Sequence, residues 1–339
     1  MSKMDEVALR MVVRGRGILA ADESSGTIAR RLASIDVVST EEKRREYREM
    51  LFRSSNALRE CISGVILFDE TLRQNAGDGT PLVDLIREAG VLAGIKVDQG
   101  VVPLKEDSAE TVTGGLEGLF DRLEEYRKLG AVFAKWRAVL RIGEAMPSPD
   151  ATVRNASLLA KYAKCCQQAG LVPIVEPEVL MEGGHDINCC NDVTASVLHE
   201  VFGALEREDV RLEAIVLKPN MVTPGDACAR RATSEEIAEK TFDCLRNTVP
   251  AAVPGIAFLS GGQKDVEATE NLNAINALAN ASGSAPWALT FSFGRALQAG
   301  ALQIWAGDEV NIAAAQAEFY KRARMNSKAA LGEWSASME

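Results

Sequence analysis

Three lysines each close a short apolar run: Lys96 in GIKVD, Lys135 in VFAKWR and Lys218 in AIVLKPN. An amine in that setting stands at the end of a strand, and at the mouth of a parallel barrel the strand ends are where catalytic groups gather. Taken singly, each is an ordinary surface charge snorkelling past its own apolar stem. Three in like settings point further. Crowded cations lower one another's proton affinity, and a lysine depressed in this way is a nucleophile able to form a Schiff base with a carbonyl.

Polar residues follow the other apolar runs as well. The first run delivers Asp22, the third Lys96, the fourth Lys135 and Arg137, the fifth Glu176 and Glu178, and the sixth Lys218. The seventh delivers Ser260 with Gly261 and Gly262, and the eighth Ser292 with Gly294 and Arg295. Residues two apart in a strand face the same side, so Lys135 with Arg137, and Glu176 with Glu178, are expected to point inward as pairs. A ring of cations and carboxylates requires mutual pairing, a cost tolerated at functional sites. The turns LSGGQ and SFGRAL stand after the seventh and eighth runs, where barrels bind phosphate with backbone amides and a helix N-terminus. A glycine pair alone is a plain turn more often than a ligand site; Arg295 beside one of two such turns favours phosphate. Arg31, in SSGTIARRL, is either a second cation across the mouth or part of a solvated helix face.

The runs that must position these residues lie at 17–21, 64–68, 94–97, 131–136, 172–175, 214–217, 255–259 and 288–291. Between them helical spacing recurs at 41–58, 115–129, 153–168, 192–205, 234–248 and 266–279. Strand alternating with helix implies a parallel sheet. Eight units without GxGxxG or GxxxxGK[ST] predict a single-domain α/β fold, a (β/α)8 barrel of the TIM type. The barrel is assigned to residues 1–300. A C-terminal helical extension and tail, 301–339, is expected to pack on or trail from it, with a helix at about 310–330. The last segment, GEWSASME, has little periodicity and is expected to be mobile.

With 47% apolar and 25% charged residues over 339 positions, the composition is that of a soluble globular chain able to bury a large core. The N-terminal segment has no apolar h-region and no later stretch is long enough to span a bilayer, so no membrane association and a cytoplasmic location are expected. The seven cysteines include two adjacent pairs and no CxxC, which reads as reduced thiols instead of a disulfide framework or zinc ribbon. Two histidines argue against a catalytic zinc, and no metal or cofactor is expected. A net charge of −10 disfavours nucleic acid and anionic membranes as partners. Small anions remain open to it, because at ordinary salt the global charge is screened beyond about 10 Å.

At these residues the chain resembles the class I, Schiff-base fructose-bisphosphate aldolases. ILAADES, GVILFDETL, GIKVDQGVVPL, FAKWRAVL, VPIVEPE, LKPNMVTPG, FLSGGQ, LNAIN and PWALTFSFGRALQ occur in family order over about residues 10 to 330. The resemblance implies reversible retro-aldol cleavage of fructose 1,6-bisphosphate to dihydroxyacetone phosphate and glyceraldehyde 3-phosphate, as part of glycolysis and gluconeogenesis. Related preferences, for fructose 1-phosphate or sedoheptulose bisphosphate, stay open. It implies that Lys218 forms the Schiff base, that Glu176 is the acid/base carboxylate with Glu178 in support, and that Asp22 handles the substrate hydroxyl proton. Lys135 would assist proton and charge handling, and Arg137 and Lys96 would hold phosphate. Ser260, Gly261, Ser292, Gly294 and Arg295 would hold the phosphate of the ketone half, and Ser24 and Arg31 that of the opposite region. A protonated imine accepts the electrons of the broken carbon–carbon bond as a neutral enamine, so the lysine is the electron sink and no metal is required.

The resemblance further implies a homotetramer, and a rival reading makes the anionic-ligand cleft a scaffold for acidic or cytoskeletal partners. Two departures stand out. Arg30 occupies a position where the family motif commonly has lysine, which keeps charge and alters donor geometry. Many members close with a flexible tail ending in tyrosine, whereas this sequence ends at Glu339 and its last tyrosine is Tyr320. Glu178 or Glu176 is then expected to protonate the enamine.

Overall fold

The computed structural model describes every residue from Met1 to Glu339. Eight parallel strands close into a barrel in sequence order: β1 Gly17–Ala21, β2 Ile62–Leu67, β3 Leu92–Lys96, β4 Phe133–Leu140, β5 Val172–Val179, β6 Val216–Leu217, β7 Gly255–Phe258 and β8 Ala288–Phe293, with β8 returning to β1. Strands covered on both faces need apolar residues throughout, which is why these segments read as continuous Ile, Val, Leu and Ala runs without alternation. The structure is the (β/α)8 barrel anticipated. β1 coincides with its expected run, while β4 starts two residues later and both β4 and β5 run on to include the polar residues at their ends.

Register sets the interior. Gly94 on β3 pairs with Phe133 on β4. A Cβ on Gly94 would lie 2.1 Å from the Phe133 ring, so the absence of a side chain there lets that ring fill the barrel's lower layer. The same layer holds Ile18, Ile66, Leu92, Val172, Ile174, Val216 and Ala257. Beneath it sits the helix Lys3–Met11, capped by a Ser2/Asp5 capping box, which pushes Val7, Ala8 and Met11 up into that cluster. This segment lacks an apolar h-region because its apolar residues are spaced along one helix face. Its outward charges are one face of a helix whose other face plugs the barrel floor.

A second, larger core fills the space between strands and helices, with Trp136 turned outward from β4 and stacked on Tyr162 at 5.5 Å. The expected helix 41–58 is two helices, Glu41–Phe52 and Ser55–Cys61, because the chain turns at Arg53 and Ser54 to enter β2. A short antiparallel hairpin, Val101–Pro103 with Thr111–Thr113, rises after β3 and was not foreseen. Helix Arg295–Trp305 runs across residue 300, and helix Ile312–Ala329 packs on it, on Asp265–Ser282 and on Ser55–Cys61. GEWSASME, expected to be mobile, is folded down. Trp334 is buried with its amide on Asn273, and Glu339 pairs with Arg322.

Gly94→Ala tests the register argument. The added methyl must displace Phe133, and overpacking of this kind costs about 2 kcal/mol. Urea denaturation should report a loss of that order, and an unchanged midpoint would show that the Phe133 layer is not close-packed against β3.

Candidate active site

The C-terminal ends of the strands surround a cavity of about 1190 Å³. Asp22, Lys135, Glu176, Glu178 and Lys218 line it, as do Ser24, Arg31, Lys96, Arg137, Ser260, Gly261, Ser292, Gly294 and Arg295. All the residues singled out from the sequence therefore meet in one place, positioned by the ends of β1, β3, β4, β5, β6, β7 and β8 and by the turns that follow.

At its floor four charges form an alternating row. Lys135 Nζ lies 2.7 Å from Asp22 Oδ2 and 3.1 Å from Glu176 Oε2, and Lys218 Nζ lies 3.1 Å from Glu176 Oε1. Glu176 Oε2 makes no aligned hydrogen bond, so its contact with Lys135 is an ion pair. The crowding of cations anticipated from the sequence is thus broken up by carboxylates. Burial opposes charge on Lys135, but Asp22 and Glu176 outweigh it and hold the ammonium well above the ordinary lysine range. Burial likewise opposes charge on Asp22, yet Lys135 and Lys218 prevail and lower its pKa to about 2. Glu176 is lowered for the same reason, burial again being outweighed by Lys135, Lys218 and Arg137. Lys135 is therefore a fixed cation, not a depressed amine.

β6 is only two residues long, and Lys218 follows it at once, its amide bonded to Val175 O at 2.8 Å. That bond to the neighbouring strand continues the ladder by one residue and fixes the root of the side chain. Glu178, two residues beyond Glu176, faces the cavity too but pairs with Arg137, whose guanidinium Glu178 keeps protonated against the effect of burial. Lys96 is held at 2.6 Å by Asp98 Oδ1. Asp98 was missed in the sequence, although it stands two residues past Lys96, the same offset that flagged Arg137 and Glu178. Glu23 was missed as well, because Asp22 beside it drew the attention that alternation assigns to one face.

The turns after β7 and β8 form the opposite wall. Gly261 and Gly262 have φ of +53° and +96°, a backbone that residues with a Cβ adopt only under strain. Helix Arg295–Trp305 begins at this wall, so its positive end faces the cavity. The Ser292 hydroxyl is buried without a protein partner and is free for a ligand. Because β1 neighbours β8, Arg31 stands beside this wall, its Nη2 3.6 Å from the Cβ position of Gly294. That adjacency differs from the opposite placement inferred from sequence. Arg30 also lines the cavity, and its Nη2 donates to Thr27 Oγ1. Tyr320 lies elsewhere, half-buried against the outer core with its hydroxyl on Glu60.

Chemically the arrangement offers an amine beside a carboxylate, a second carboxylate across a fixed cation, and guanidinium and amide donors for anions on the walls. No three His, Cys, Asp or Glu side chains cluster as metal ligands, and no helix is long and apolar enough to cross a membrane.

Asp22 gives a pH test. Its folded pKa is depressed from 3.8 to about 2, so its contribution to stability is complete above the unfolded value and disappears as the pH falls through about 2. The contribution is about 2 kcal/mol. Melting of Asp22→Asn beside the unaltered protein should show a deficit that is constant above pH ~5 and closes toward pH ~2. A deficit independent of pH would separate Asp22 from the lysines.

Residues 3–339 match the family described as glycolytic fructose-bisphosphate aldolase class-I. The chain is 54% identical over 335 residues to fructose-bisphosphate aldolase C of Rattus norvegicus and 53% identical over 337 residues to that of Homo sapiens, each match covering 99% of this chain and 92% of the relative. A solved structure of fructose-bisphosphate aldolase from Plasmodium falciparum, in complex with TRAP and a small-molecule inhibitor, superposes with a TM-score of 0.95 at 47% identity. That superposition covers 98% of this chain and 95% of the other.

Proposed function

The chain belongs to the class-I fructose-bisphosphate aldolase family, and from that premise we propose that Lys218 carries the reaction in the alternating row at the cavity floor. The protein is a lyase of the glycolytic aldolase class acting on sugar phosphates. The observation that supports Lys218 is its pairing with Glu176 at 3.1 Å, with Lys135 and Asp22 beyond.

In this reading Glu176 takes the proton that Lys218 must shed before attacking the ketone carbon of open-chain fructose 1,6-bisphosphate. Glu176 then serves the loss of water that forms the protonated imine. Asp22 accepts the proton of the hydroxyl beyond the scissile bond. The bond electrons pass into the imine as an enamine, and the aldehyde departs. Glu176, or Glu178 beyond it, returns a proton to the enamine carbon, and hydrolysis frees dihydroxyacetone phosphate. Lys135 stays charged throughout and keeps the two carboxylates ionised until each is used. Phosphate at the ketone end is assigned to Ser260, Gly261, Ser292, Gly294 and Arg295, and at the other end to Ser24, Lys96 and Arg137, with Arg31 at the boundary between them. Cations at both ends favour a bisphosphate over fructose 1-phosphate. We further propose a homotetramer working in the cytoplasm, which equilibrium sedimentation and fractionation test.

Borohydride added with dihydroxyacetone phosphate should label Lys218 irreversibly, read as a modified peptide by mass spectrometry. Label on Lys135 or Lys96 would overturn the assignment. Lys218→Met, close in length, should fold and lose cleavage by more than about a thousandfold. Exhaustive chelation should leave the rate unchanged, and a loss restored by zinc would refute the lysine electron sink.

A further inference from the structure

Arg48, on helix Glu41–Phe52, is 2% exposed and does not line the cavity, yet it is charged and two of its nitrogens, Nε and Nη1, have no partner. A buried guanidinium so poorly satisfied is costly, which calls for an account of what it does. Its one strong contact is an ion pair from Nη2 to Glu23 Oε2. The other oxygen of the same carboxylate, Oε1, accepts from Arg31 Nη1 and, at 3.2 Å, from Gln298 Nε2. Gln298 is itself fixed, donating to Ala20 O at 2.7 Å and accepting from the Tyr47 hydroxyl at 3.0 Å.

Glu23 is therefore shared. Arg48 holds one oxygen and Gln298 restrains the other, so Arg31 is engaged through Nη1 alone while its Nη2 points toward Gly294 at the cavity wall. A lone arginine and carboxylate side by side close as a bidentate pair, which occupies both terminal nitrogens and cancels the charge. Here two cations share one carboxylate. Arg48 is shut away from ligand, so the surplus positive charge falls on Arg31, whose side chain is 22% exposed against 3% for Arg48.

We propose that Arg48 is a positioning residue for substrate binding: by competing for Glu23 it keeps Arg31 single-bonded and available as a phosphate donor. This rests on the sugar-phosphate reading of the site. Arg48→Met should let Glu23 swing onto Arg31 as a bidentate pair. KM for fructose 1,6-bisphosphate should then rise about tenfold, one charge-assisted contact, with kcat within about twofold. Adding Glu23→Gln to that variant removes the trap and leaves no buried charge unpaired, so KM should return to within about threefold of the unaltered protein. A merely structural Arg48 gives no such rescue. The proposal is overturned by an unchanged KM in Arg48→Met, by a fall confined to kcat, or by a double variant as impaired as the single one. Should circular dichroism show Arg48→Met unfolded, Gln298→Met releases Glu23 Oε1 without touching a charge. It should raise KM about threefold, and no rise there overturns the proposal equally. Failure of dihydroxyacetone phosphate and borohydride to label Lys218 in the unaltered protein would instead strike at the sugar-phosphate reading.

Discussion

The structure depends on the alternation of charge along Asp22, Lys135, Glu176 and Lys218. Four ionisable side chains, on or just past four different strands, are withdrawn from water, and each is tolerable because its neighbour is of the opposite type. Lys135 and Glu176 each face two partners while Asp22 and Lys218 each depend on one, so removing an inner member strands the charge at the end of the row. The barrel supplies what the row needs. Parallel strands of matched register bring residues far apart in sequence to one level, and a closed sheet prevents them from drifting apart sideways.

Much of this fold could be read from the chain because parallel strands covered on both faces are simple: apolar residues bounded by turns. Helix Ser234–Thr248 matched its expected span because Thr233 and Glu236 mark its start with a capping box. What escaped was context-dependent. The break at Arg53 and Ser54 carries neither glycine nor proline and is imposed by the approach to β2. Helix Lys3–Met11 is short and charged, and only the barrel floor shows that Val7, Ala8 and Met11 have somewhere to go. The C-terminal segment lacks periodicity because single contacts hold it, Trp334 in an apolar seat and Glu339 on Arg322, not a repeating face.

The site was legible for a related reason. Charged residues at the ends of apolar runs are improbable unless paired, and pairing across strands follows from closure. Yet the mutual lowering of proton affinity expected of three crowded lysines does not reach Lys135, because Asp22 and Glu176 stand on either side of it. Glu23 went unread because it follows Asp22 directly, and Asp98 because it lies beyond the last residue of β3. Glu23 in particular is joined to helices distant in the chain, through Arg48 and Gln298, and no local pattern announces contacts of that separation.

With Val7 and Met11 of the helix beneath the barrel joined to the layer around Phe133, the barrel is packed solid from below and the cavity lies at the strand ends alone. Stability and chemistry are thereby sorted to opposite ends of one axis. Changes at the floor fall on packing far from the charged row, and changes at the rim fall on the row with the apolar layers left intact.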